Sequence, residues 1–136
     1  MSVLVIRDRA HKMKHTVQVG EHSFAVDEPV VNGGEDLGIT AHDTFDSALG
    51  VCKAMTVLWY ANRKKIPLED IRVSVERDDS EERRGVYRLR VTLALTGALT
   101  DAQRHELLTV AEKCPVHKLM TVVKTEITTE LAPVAG

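Results

Sequence analysis

ALGVCKAMTVLWYA, residues 48–61, decides how this chain folds. Apart from Lys53 it is apolar almost all round a helical turn, yet it is shorter than the roughly 20 apolar residues a membrane span needs. It reads as a core helix, and the flanking residues bound it. Upstream, Thr40 followed three residues later by Asp43 makes a shortened capping box. Downstream, Arg63, Lys64 and Lys65 suit the negative end of the helix dipole, and Pro67 stops the helix. The pattern predicts a helix over 41–64. Phe45, Leu49, Cys52 and Trp59 lie near one stripe, and Ala48, Val51, Met55 and Leu58 make a second. Such a helix needs cover on most of its circumference. A single small sheet covers one side, so the expected remedy is a second subunit in an intertwined homodimer.

The remaining segments supply strands and two further helices. HTVQV (15–19) and HSFAV (22–26) alternate about Gly20-Glu21, a two-residue turn with glycine first, as a type II′ hairpin requires. A short strand, VLVI (3–6), precedes them, and DEPVVNGGEDLG (27–38) is a loop. IRVSVE (71–76) points Ile71, Val73 and Val75 inward, and VYRLRVTLAL (86–95) does the same with Tyr87, Leu89, Val91, Leu93 and Leu95. The charged run between these strands is a solvated hairpin loop. Thr100 and Gln103 form a capping box for a helix through Lys113, and Cys114-Pro115 begins a short third helix with proline at its first position. TVVKTEITTEL (121–131) reads as a last strand. The order of elements gives one α+β domain over 1–136.

Composition excludes several function classes. With 43% hydrophobic and 28% charged residues the chain is an ordinary globular sequence, and its length permits burial of roughly two thirds of the unfolded surface. A net charge of -2 argues against a general affinity for nucleic acid or an anionic membrane. The N-terminal residues lack the apolar run and cleavage site of a secretory signal, so a cytoplasmic location is expected.

The chain has two cysteines. In a reducing compartment such a pair is either two inert buried thiols or a redox couple. Cys114, at a helix start with Lys118 one turn on, is where a thiol pKa should fall. Cys52 lies mid-helix, where no dipole end helps a thiolate. Cys114 and His117, with His105, form an incomplete C-x-x-H set without a second C-x-x-C, so no metal site is expected. HELLT (105–109) lacks the second histidine of a zinc-protease helix, and Gly33-Gly34 fits neither G-x-G-x-x-G nor a P-loop. Asp46, a carboxylate on a mostly apolar helix, must face water, a cation or the site.

The GGEDLG loop, the helix TAHDTFDSALGVCKAMTV and the later KCPVHKL together resemble the OsmC/Ohr family of osmotically induced and organic-hydroperoxide-resistance proteins. The family helix reads much like S-P-x-E-L-L-x-A-A-L-G-A-C, and its second motif like K-C-P-V-x-K. The resemblance implies an intertwined homodimer with antiparallel sheets around long buried central helices. It also implies that Cys52 is the peroxidatic thiolate, that Cys114 resolves it through a Cys52–Cys114 disulfide, and that no cofactor takes part. The implied partners are an organic hydroperoxide and an external dithiol reductant of the lipoyl type, with neither nucleic acid nor membrane among them.

The family couples its reactive cysteine to a glutamate near the helix start and to an arginine from the segment before that helix. Here the carboxylate position is Asp43, and no arginine lies between Arg9 and Arg63. Arg7, Arg9 or a lysine are the candidate substitutes. The competing reading is a non-catalytic dimer on the same scaffold that binds a small apolar ligand in the interface cleft.

Overall fold

The computed structural model describes residues 1–134. In chain order the elements are β1 (Leu4–Arg7), β2 (His15–Val19), β3 (His22–Val26), α1 (Ala41–Lys64), β4 (Leu68–Asp78), β5 (Arg88–Gly97), α2 (Asp101–Glu112) and α3 (Pro115–Thr121). Two compact units emerge, Met1–Gly50 with Ser74–Thr92, and Val51–Val73 with Leu93–Gly136. The helix α1 and the strands β4 and β5 contribute residues to each.

In the first unit β1, β2 and β3 form an antiparallel meander, with Val5 opposite Val17 and Val17 opposite Phe24. Gly20 turns the β2–β3 hairpin at φ 59°, where a side chain would be strained. The following loop is ordered by the buried Asp27, whose carboxylate accepts from the backbone N–H of Glu28 (2.8 Å), Glu35 (3.1 Å) and Leu37 (3.1 Å). The loop packs so closely that a Cβ on Gly34 would stand 2.0 Å from the Glu28 carbonyl oxygen. At the start of α1 the expected cap is reciprocal. Asp43 N–H donates to Thr40 Oγ1 and Thr40 N–H donates to Asp43 Oδ2, each at 3.0 Å.

The second unit holds the hydrophobic core. Val57 and Ala61 from α1 meet Leu107 and Ala111 from α2, and Ile66, Leu68, Ile71, Leu93, Leu95 and Leu99 pack around them. The two alanines let the helices approach, and full burial of Leu107 contributes about 1.5–3 kcal/mol. Lys65 closes α1 in the left-handed region (φ 55°), and Ile66 N–H returns to the Ala61 carbonyl at 2.9 Å, which turns the chain into Pro67 and β4. The helix α2 carries the expected Thr100–Gln103 capping box.

Within this chain α1 is covered on one side: in the second unit Lys53, Val57 and Ala61 are buried while Val51, Met55, Leu58 and Trp59 remain exposed. One expectation is corrected: no strand forms over 121–131. Val122 and Val123 N–H groups both return to the Lys118 carbonyl and finish α3, and residues 124–134 have no regular secondary structure and are exposed. An alternating pattern becomes a strand only when a neighbour completes its ladder, and none of the described strands does so.

Candidate active site

Both cysteines belong to the second unit, and both are free thiols. Cys52 is half-buried on α1, with its sulfur 4.0 Å from Thr56 Oγ1. Cys114 is fully buried and is the N-cap of α3, as the sequence predicts, with Pro115 at the first helical position. Two successive amides of that first turn serve the two sulfurs. Val116 N–H donates to Cys52 Sγ at 3.5 Å, and His117 N–H donates to Cys114 Sγ at 3.4 Å. Cys52 lies near enough to Cys114 to bear on its ionisation.

The expected fall in the Cys114 pKa is reversed. Burial pushes this thiol up, and the neighbouring Cys52 thiol adds to that. The His117 amide and the positive charge of Lys53 pull the other way without overcoming it. Lys53, which in the sequence merely interrupts an apolar run, is itself buried beside the pair. Its Nζ donates to the Ala111 carbonyl at 2.7 Å and lies 2.9 Å from His117 Nδ1. His117 is thus engaged by a lysine. Among the described residues no group of three or more His, Cys, Asp or Glu has the geometry to hold a metal ion.

A groove of about 500 Å3 lies on this unit, lined by Thr56, Tyr60, Glu106, Thr109, Val110 and Lys113. Thr56 is also the residue beside the Cys52 sulfur, and Tyr60 donates its hydroxyl to Glu106 across the groove.

The third sequence candidate, Asp43, lies in the first unit in a cluster built around Arg77 of β4. The guanidinium donates through Nη2 to Asp43 Oδ1 at 2.6 Å and through Nε to Asp46 Oδ2 at 2.7 Å. Tyr87 donates its hydroxyl to the other oxygen of Asp46 at 2.6 Å. Asp46 is only 7% exposed, so the cation its burial demands is Arg77. The Asp43 carboxyl is held below its ordinary value by the Thr40 amide and by Arg77. The Tyr87 phenol is pushed up to about 12 by burial and by its bond to Asp46.

The sequence reading ends this strand at Glu76 and so omits Arg77. Its signal in the sequence is the alternation, because Arg77 continues the phase of Ile71, Val73 and Val75. Ala41, His42, Phe45, Glu82 and Tyr87 line an adjoining apolar groove of about 410 Å3, in which Phe45 meets Tyr87 edge-on at 5.9 Å.

Two free thiols, half-buried Cys52 on α1 and buried Cys114 at the start of α3, thus share the first turn of α3 within an α+β fold. The sequence model described as OsmC-like protein matches residues 33–130, and the chain belongs to that family. No curated protein sequence matches it. Among solved structures it is similar to the OsmC-like protein of Mycoplasma pneumoniae, with 16% identity, TM-score 0.71, and 90% of this chain and 87% of that chain covered. It is similar to the organic hydroperoxide resistance protein OsmC of Legionella pneumophila, with 21% identity, TM-score 0.64, and 90% of each chain covered. It is also similar to the organic hydroperoxide resistance protein OhrB of Bacillus subtilis, with 20% identity, TM-score 0.59, and 90% and 92% covered. At these identities the likeness is one of fold. No helix among the described residues is long and apolar enough to cross a membrane.

Proposed function

We propose that this protein is a thiol-dependent reductase of organic hydroperoxides, with Cys52 as the attacking thiolate and Cys114 as the resolving thiol. The Cys52 sulfur attacks the peroxide O–O bond and becomes a sulfenic acid, and the alkoxide leaves to be protonated. Cys114 then attacks the Cys52 sulfur, an S–S bond forms, the S–O bond breaks and water is released. An external dithiol returns both thiols to the reduced form and is itself oxidised to a disulfide.

The observation that supports this reading is the seating of both sulfurs on successive amides of the α3 first turn, with Thr56 beside the Cys52 sulfur also lining a groove. In the proposal Asp43, paired with Arg77, keeps the family's carboxylate role. The organic hydroperoxide resistance named for two structural relatives favours that substrate class. The uncovered α1 residues Val51, Met55, Leu58 and Trp59 support a homodimer as the working form, and free thiols suit a reducing, cytoplasmic setting.

The test is peroxide consumption with a dithiol in excess. Cys52→Ser should abolish it, and Cys114→Ser should accumulate a sulfenic acid that dimedone traps. If both variants consume organic hydroperoxide as fast as the parent, the reading fails. Sedimentation velocity over a range of concentrations tests the dimer.

A further inference from the structure

Lys53 is 5% exposed. A buried ammonium costs several kcal/mol unless something compensates its charge, and lysines in such positions are normally paired with a carboxylate. The partners found here are both formally neutral, the Ala111 carbonyl and the His117 ring nitrogen. Among the described residues no carboxylate forms an ion pair with Lys53. An ammonium carries donors and no acceptor, so a charged Lys53 requires Nδ1 of His117 as an acceptor in this contact.

The arrangement is also specific in the chain it grips. Ala111 lies three residues before Cys114 and His117 three residues after, so one ammonium on α1 holds both flanks of the buried thiol. Lys53 follows Cys52 directly in sequence. The anion missing from this cation's surroundings is one that the neighbouring thiols can provide. We infer that Lys53 is a positioning residue whose charge partner is the Cys114 thiolate, formed when the resolving thiol attacks the oxidised Cys52.

The inference rests on the proposed function and specifies its second step. In that step Cys114 loses a proton, its sulfur bonds to the Cys52 sulfur, and the hydroxide expelled from the sulfenic acid combines with the proton as water. Burial works against the ionisation and Lys53 works for it, the direction its charge exerts on this thiol. The groups that bear on Cys114 are Cys52 and Lys53 from α1 and the backbone amide of His117 from α3. From α2 the contact to the lysine is a backbone carbonyl.

The deciding experiment needs no peroxide. In a Cys52→Ser background Cys114 is the sole thiol, and its ionisation is read from the ultraviolet thiolate absorbance across pH. Lys53→Gln keeps a donor for Ala111 without the charge. It should raise the midpoint by about one pH unit or more and slow alkylation near pH 7 about tenfold. Lys53→Arg should recover part of both effects. Equal midpoints for the parent, Gln and Arg forms overturn the inference, whatever the peroxidase assay gives.

In the two-cysteine protein, a single turnover of Lys53→Gln should oxidise Cys52 at the parental rate and accumulate sulfenic acid. Slowing of the first oxidation instead would assign Lys53 to the other thiol and overturn the inference. Should Gln not fold, Lys53→Met supports the same measurements. With Lys53 intact, Cys114→Asp should be more stable near pH 7 than Cys114→Asn, and the reverse order counts against the pairing.

Discussion

Replacing Asp46 by alanine should be among the most damaging single changes in the first unit. The substitution removes two hydrogen bonds to a charged acceptor, from Arg77 Nε at 2.7 Å and from the Tyr87 hydroxyl at 2.6 Å. Bonds of that kind contribute about 1.5–3 kcal/mol each. The lower end applies here, because the Arg77 side chain is 26% exposed, so water recovers part of its solvation, and Asp43 remains its partner. The expected loss is therefore about 3 kcal/mol. A chain of 136 residues unfolds with an entropy that turns this into a fall in Tm of about 10 °C.

Asp43→Ala is the control. Its ion pair is more exposed and worth at most about 1 kcal/mol, and the lost cap contributes about 1 kcal/mol more. Differential scanning calorimetry under reducing conditions, with urea titration as a second measure, separates the two. A fall below about 3 °C for Asp46→Ala, or one no larger than that of Asp43→Ala, would refute the buried-carboxylate account.

Three other outcomes follow from the same geometry. In a Tyr60→Phe background the phenolate absorbance should place Tyr87 near 12. The folded state holds its proton more tightly than the unfolded state, so this contribution to stability is complete below about pH 10 and is lost as pH rises toward 12. Asp46→Asn should bring the midpoint down, and a parental midpoint near 10 would contradict the structure. Asp43 has the opposite sign. Its folded pKa lies below the ordinary 3.8, so its contribution is present above that value and lost as pH falls through the lower folded one, and Asp43→Asn should flatten the acid limb of stability against pH. Gly34→Ala should cost about 2 kcal/mol or more in urea denaturation, since its Cβ would meet the Glu28 carbonyl oxygen at 2.0 Å and Asp27 Oδ1 at 2.8 Å.

Features fixed by neighbours in sequence were the readable ones. The bounds of α1 followed from Thr40, Asp43 and the basic C-terminal turn. The β2–β3 hairpin followed from Gly20, and the seat of Cys114 at the start of α3 from Pro115. What escaped depends on residues far apart in the chain. The need of Asp46 for a cation was visible, but its partner lies 31 residues away, just past the end of the strand as read from sequence, 71–76, whereas β4 runs Leu68–Asp78. Lys53 looked like an interruption because its contacts, Ala111 and His117, are 58 and 64 residues away.

The helix-start argument put Cys114 in the right place and assigned its ionisation the wrong direction, because the burial that dominates comes from packing, which local sequence does not display. The tail failed as a strand for a related reason. Alternation in Val123, Thr125 and Ile127 marks a capacity to pair, and pairing is a property of two segments.

The chain has one tryptophan, and it stands on the bare side of α1 with the Arg63 guanidinium 5.2 Å from its ring centroid. Trp59 is therefore a built-in optical probe. Its indole emission should be red-shifted and readily quenched by iodide while that side faces solvent, and should turn blue and shielded once another molecule settles there, so a dilution series read by fluorescence reports occupancy without a label.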